Sequence, residues 1–184
     1  MINRKKFFLI VVPLLIGVFI YIFFRSRHLF YYNFFHILNV DEDIREYRIL
    51  LWKYRKSIPN WIIYSLPDGL WIYSFGIALL YGSQFFILDS LFFIGITIFM
   101  VGFEFFQMRF GGHGSLVGTF DLTDIYCFIG GSSLALLSSF FSVRTQRIYL
   151  FQKLKIYTLK TLFSRLFIIF LFTVLAIFPT LFKF

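Results

Sequence analysis

Cysteine is almost absent. Cys127 is the single thiol in 184 residues, which excludes an intrachain disulfide framework and any multi-cysteine metal site and leaves the redox compartment unreadable. Charge is scarce as well, at 15% of the chain against about 25% in soluble domains. What replaces it is apolar: 59% of residues are hydrophobic and 30 are phenylalanine. Folded in water, such a chain would expose large apolar patches, which soluble proteins rarely tolerate. Acids are few beside bases, 9 against 18. The bases flank apolar runs and form no stripe interleaved with aromatics, so nucleic acid is not the expected partner. Anionic lipid is. These absences predict an all-α fold, a polytopic helical bundle forming a single membrane domain.

Five apolar runs are legible as transmembrane helices, at about 7–24, 67–82, 86–108, 124–141 and 166–182. The first lies between Arg4, Lys5, Lys6 and Arg25, Arg27. It lacks a small-residue cleavage site, so it reads as an uncleaved signal anchor. Between the first and second runs, Asp41, Glu42 and Asp43 open a segment that Lys53, Arg55 and Lys56 close, the polarity a helix dipole favours. Ile44, Tyr47, Leu51, Tyr54 and Ile58 make an apolar stripe at intervals of three and four. A helix over about 41–57 follows, lying on the membrane surface or packing as a solvated helix on the bundle. Gly82, Ser83 and Gln84 read as a turn. Asp89 with Ser90 reads as the cap of the third run. Gly130, Gly131, Ser132 and Ser133 are small enough to let helices approach closely.

Orientation follows from Lys and Arg in the loops. With an inside amino end, nine bases fall on each side. The tie breaks on acids: the outer 25–66 stretch carries its own, whereas segment 143–165 holds Arg144, Arg147, Lys153, Lys155, Lys160 and Arg165 and no acid. A purely basic segment suits the anionic cytoplasmic leaflet. A multi-pass protein of the plasma membrane with a cytoplasmic amino end is expected.

Whatever the orientation, alternation puts the start of the second run, the end of the third and the start of the fourth on one face. Asp68, Glu104, Gln107, Arg109, His113, Asp121 and Asp124 all occur there. Ionisable side chains cost about 2.5 to 3.5 kcal/mol at a helix centre, so those retained are candidates for function. Asp68 has an alternative reading as an N-cap, and Asp121 and Asp124 as a cap with a first-turn acid. Glu104 has no such reading, because it lies about 10 Å before a helix end where the dipole disfavours it. Gln107 shares its helix face. Arg109 suits an ion pair with Asp121 or Asp124, or a lipid phosphate. His113 sits among Gly111, Gly112, Gly114 and Ser115, a stretch without the Lys and Ser/Thr ending of a phosphate loop. Cys127 reads as a core residue, with a Cys-His pair to His113 as the alternative.

At these residues the chain resembles the VanZ-like family of small bacterial membrane proteins. Pro67-Asp68 is similar to that family's acid at the start of its second helix. Glu104 with Gln107 resembles its Glu-x-x-Gln, Arg109 its loop arginine, and Asp124 with Gly131 the ends of its Asp-x-x-x-Asn-x-x-Gly. The likeness covers about residues 67–137 and is that of a divergent member, since Phe128 stands where the Asn is expected and Gly69 where a Lys is usual. The resemblance implies a cell-envelope role, which for some members is linked to glycopeptide antibiotic resistance, without a settled reaction.

Three functions fit these residues. An envelope protein would use the polar pocket to bind a headgroup, an amphiphile or a cation. A small secondary transporter or proton-coupled carrier would relay a proton through Glu104. An intramembrane enzyme on a lipid-linked substrate would use an acid as general base. No cofactor is expected. The partners are membrane lipids and an envelope amphiphile or cation, with oligomerisation open.

Overall fold

The structure is a computed structural model that describes residues 4–25, 41–83, 85–112, 119–145 and 159–177. Among these residues it is helical and has no strand. The elements are α1 (Arg4–Phe24), α2 (Asp41–Trp52), a 3-10 turn (Arg55–Ser57), α3 (Asn60–Tyr64), α4 (Leu66–Leu80), α5 (Phe86–Phe110), α6 (Leu122–Thr145) and α7 (Leu159–Ile177). Gln84, His113 and most of the basic segment 143–165 lie outside the described residues. The flanks of that segment are helical: α6 continues to Thr145, and α7 begins seven residues before the expected 166.

Among the described residues, three helices are long and apolar enough to cross a membrane: α1, α5, and α6 over Leu122–Ser142. Their outer faces carry exposed Leu91, Ile98, Phe99 and Phe141, surface that lipid covers and water would not. α4 and the Phe163–Val174 part of α7 are shorter apolar helices. At about 1.5 Å per residue, α4 is about 22 Å long against a hydrocarbon core of about 30 Å.

α4 is the hub. It packs most extensively on α6 and α1, and also touches α3, α5 and α7. Glycines set the α4–α6 distance. A Cβ on Gly131 would run into the Gly69 carbonyl and the Ile72 side chain, and one on Gly69 would meet the Cys127 carbonyl at 2.8 Å. Two turns beyond Gly69, a Cβ on Gly76 would lie 2.6 Å from both Ala135 and Phe93. Cys127, Gly131 and Ala135 stand four apart and form the seam on α6. Gly130 points into open space, while the Ser132 hydroxyl stands 2.9 Å from that of Thr97 on α5. The four small residues therefore divide between faces.

Below the seam, Phe75, Phe93, Phe128 and Phe172 are buried together, with ring centroids 5.9 Å apart for Phe75–Phe93 and 5.3 Å for Phe75–Phe172. The Trp71 indole N–H donates to the Phe172 carbonyl at 3.2 Å, which ties α7 to α4.

Of the expected apolar stripe, Tyr47 and Tyr54 are 64% and 61% exposed and Ile44, Leu51 and Ile58 are half-buried, while Arg48 is 3% exposed. Its guanidinium donates to the carbonyls of Ile22 (3.0 Å) and Arg25 at the end of α1 and lies over the Trp52 ring. The last turn of a helix leaves carbonyls unpaired and negatively polarised, so an arginine docks α2 better there than the aliphatic stripe does. Asp89 does not cap α5, which begins at Phe86 without a side-chain cap. It sits buried in the first turn, accepts from the Ser83 hydroxyl and forms an ion pair with Arg165 of α7.

Candidate functional site

The site is assembled at the junction of α3 and α4, the end of α5 and the start of α6. Ser65 links α3 to α4 with αR dihedrals (φ −103°, ψ −36°), and its carbonyl accepts from the N–H groups of Asp68 (3.1 Å) and Gly69 (3.3 Å). Its hydroxyl, fully buried, stands 2.5 Å from that of Thr123 on α6. Asp121 precedes α6 and caps it, Oδ1 accepting from the Thr123 N–H at 2.9 Å and hydroxyl at 2.8 Å. That is the predicted cap, with Asp124 as the first-turn acid. Asp68 is likewise a first-turn acid and not the N-cap of α4; Ser65 holds that position, without a side-chain bond.

Glu104 is 6% exposed although it lies on a helix whose neighbouring phenylalanines face outward. Its Oε2 accepts from the Asp121 N–H at 3.4 Å, so the acid from the end of α5 reaches the start of α6. Asp68, Glu104 and Asp124 lie close enough to feel one another's charge, and Asp121 adds to the field at Glu104 and Asp124. The three helices therefore deliver their carboxyl groups to one region.

Among the described residues one cation answers them. The Arg25 guanidinium exerts its charge on Asp68 and Asp124, donates to the Tyr64 carbonyl at 2.7 Å, and lies 4.0 Å from the Tyr21 ring centre. Cation–π contact of this kind holds a guanidinium in place without neutralising it. Nothing local to Arg25 in the sequence marks it as a candidate. It stands just past the end of α1, at the same end of the bundle as the acids, and the order of the apolar runs carries that signal.

Donors are short here. The Thr123 hydroxyl gives its proton to Asp121, so Ser65 has one proton for two acceptors, Thr123 and the nearby Asp124 carboxyl. Oδ1 of Asp124 is buried with no hydrogen-bond partner among the described residues, and so is Nε of Arg25. Each such atom costs about 1 to 3 kcal/mol.

The other candidates stand apart. Gln107 is half-buried one turn beyond Glu104, while Arg109 is exposed and makes no ion pair with Asp121 or Asp124. Cys127 is half-buried beneath Asp124 and packs on Gly69. A Cys-His pair with His113 lies outside the described residues. Among those residues, no three His, Cys, Asp or Glu side chains converge closely enough to hold a metal ion. At the two positions where the VanZ-like pattern departs, Phe128 is 4% exposed in the core and Gly69 abuts Cys127. Comparison with family models, curated proteins and solved structures gives no match for this chain.

Proposed function

We propose that the chain is a VanZ-like envelope protein of the plasma membrane that crosses the bilayer about five times and binds the cationic headgroup of an amphiphile between Asp68, Glu104 and Asp124. The observation that carries this reading is the buried, unpartnered Oδ1 of Asp124 in a cluster where acceptors outnumber donors. A protonated amine supplies the missing donor and offsets several carboxylates that, among the described residues, share a single guanidinium. A hydroxyl or amide on the same headgroup would give Arg25 Nε its acceptor. The five-span topology rests on α3 and α4 acting as one span, since αR backbone at Ser65 joins them and lengthens a helix too short alone.

One observation favours binding over a proton-coupled carrier. Such a carrier needs an acid toward the far face, and Asp89 there is committed to Arg165.

Purified protein titrated with a long-chain alkylammonium, against the neutral alcohol of equal chain length, tests the reading through tryptophan fluorescence. The ammonium should bind and the alcohol should not. Asp124→Asn should weaken ammonium binding about 10- to 100-fold, the equivalent of a charged hydrogen bond of about 1.5 to 3 kcal/mol. Equal binding of amine and alcohol, or an unchanged Asp124→Asn, sinks the proposal. In cells, loss of the same carboxylate should alter susceptibility to an amine-bearing lipoglycopeptide.

A further inference from the structure

At the other end of the bundle a second polar cluster is basic. The apolar lengths of α1 and α5 separate it from the carboxyl pocket: Asp89 lies fifteen residues before Glu104 on α5, about 22 Å along the axis. It surrounds a cleft of about 380 Å³ lined by Lys6, Arg165 and the Tyr81–Ser83 turn, with Leu79 and Ile168 as its apolar wall. The turn itself needs glycine, since Gly82 has φ +71°. Lys6 Nζ donates to the Tyr81 carbonyl at 2.9 Å, and Arg165 Nη2 to the Ser83 hydroxyl at 3.2 Å.

We infer that this cleft binds the phosphate of an anionic lipid headgroup. Among the described residues two cations face one acid, so after Asp89 is paired with Arg165 the cleft keeps a net positive charge. An ammonium carries three donors, and Lys6 uses one on Tyr81. The first turn of α5 adds the positive end of a helix dipole, which favours phosphate. The source is a lipid because of position: Lys6 stands at the start of a helix able to cross a membrane, and the cleft continues from its cations onto Leu79 and Ile168, where an acyl chain can lie. Basic pockets between transmembrane helices at the cytoplasmic face hold anionic headgroups by the same chemistry. This inference is independent of the carboxyl pocket.

The test is thermal melting of the purified full-length protein in a non-ionic detergent, titrated with short-chain phosphatidylglycerol, phosphatidylcholine or inorganic phosphate. Phosphatidylglycerol should raise the melting midpoint saturably, and the other two should not. Lys6→Gln should weaken the apparent affinity about fivefold, the effect of one base near a membrane surface. Lys6→Arg should restore it, and Arg4→Gln, on the same helix end but outside the cleft, should leave it unchanged. A shift with inorganic phosphate alone, an equal shift with phosphatidylcholine, or a Lys6→Gln variant that binds as tightly as the wild type overturns the inference. So does an Arg4→Gln variant weakened as much as Lys6→Gln, because the attraction would then be diffuse surface charge.

Discussion

Two arginines decide how the carboxyl-bearing end of the bundle is held, and they do so differently. Arg25 keeps its charge available to Asp68 and Asp124 by resting on Tyr21 and donating to a neutral carbonyl. Arg48 spends its guanidinium on the carbonyl ends of α1 and is almost wholly buried. Arg48→Ala should therefore lower stability by about 1.5 to 3 kcal/mol, the value of charged hydrogen bonds to backbone, read as an earlier melting midpoint in detergent. Arg25→Gln should change alkylammonium affinity far more than stability, since it alters the field at the acids. An equal loss of stability in both variants would contradict this division. Legibility in the sequence followed the same line. Glu104 and Asp124 stood out because a charge in an apolar run is costly wherever it falls. Arg48 did not, because an arginine in a polar segment carries no sign that it will be buried.

Among elements, α4 and α6 are held together by absent side chains. Gly69 and Gly76 on one helix meet Cys127, Gly131 and Ala135 on the other, and this contact fixes Asp68 beside Asp124. Gly131→Ala must push the helices apart, because the Gly69 carbonyl is backbone and cannot swing aside. Overpacking of this kind costs about 1 to 3 kcal/mol, and alkylammonium binding should weaken in step as the acids separate. Gly130→Ala is the control, since its Cβ meets nothing and helix propensity makes the change neutral or favourable by about 1 kcal/mol. Melting and binding measured on the two variants together check the pair. The sequence showed four small residues in a row; which of them faced a neighbour depended on the rotation of α6, which an almost uniformly apolar helix does not reveal through its pattern. The helix starts were better marked, since Asp121 caps α6 as its position suggested.

For the whole molecule, the order of the apolar runs was the most informative reading. It brought acids separated by dozens of residues to one end, and the packing of α4 against α1, α5 and α6 places them there. The basic end is tied by Asp89 and Arg165, a pairing with no local signature because α5 and α7 are far apart in the chain. A fluorescent-protein fusion after Thr145 should glow and an alkaline phosphatase fusion there should stay inactive, if the basic segment lies inside; the reverse result would invert the proposed orientation. The central place of α4 also constrains biogenesis. Its glycine face is covered by α6, which emerges from the ribosome about 60 residues later, roughly 3 to 12 seconds at ordinary elongation rates. Until α6 arrives, the Gly69 notch and the neighbouring Asp68 are without the surface that buries them in the finished fold, so a chain stopped before residue 122 should leave α4 poorly packed.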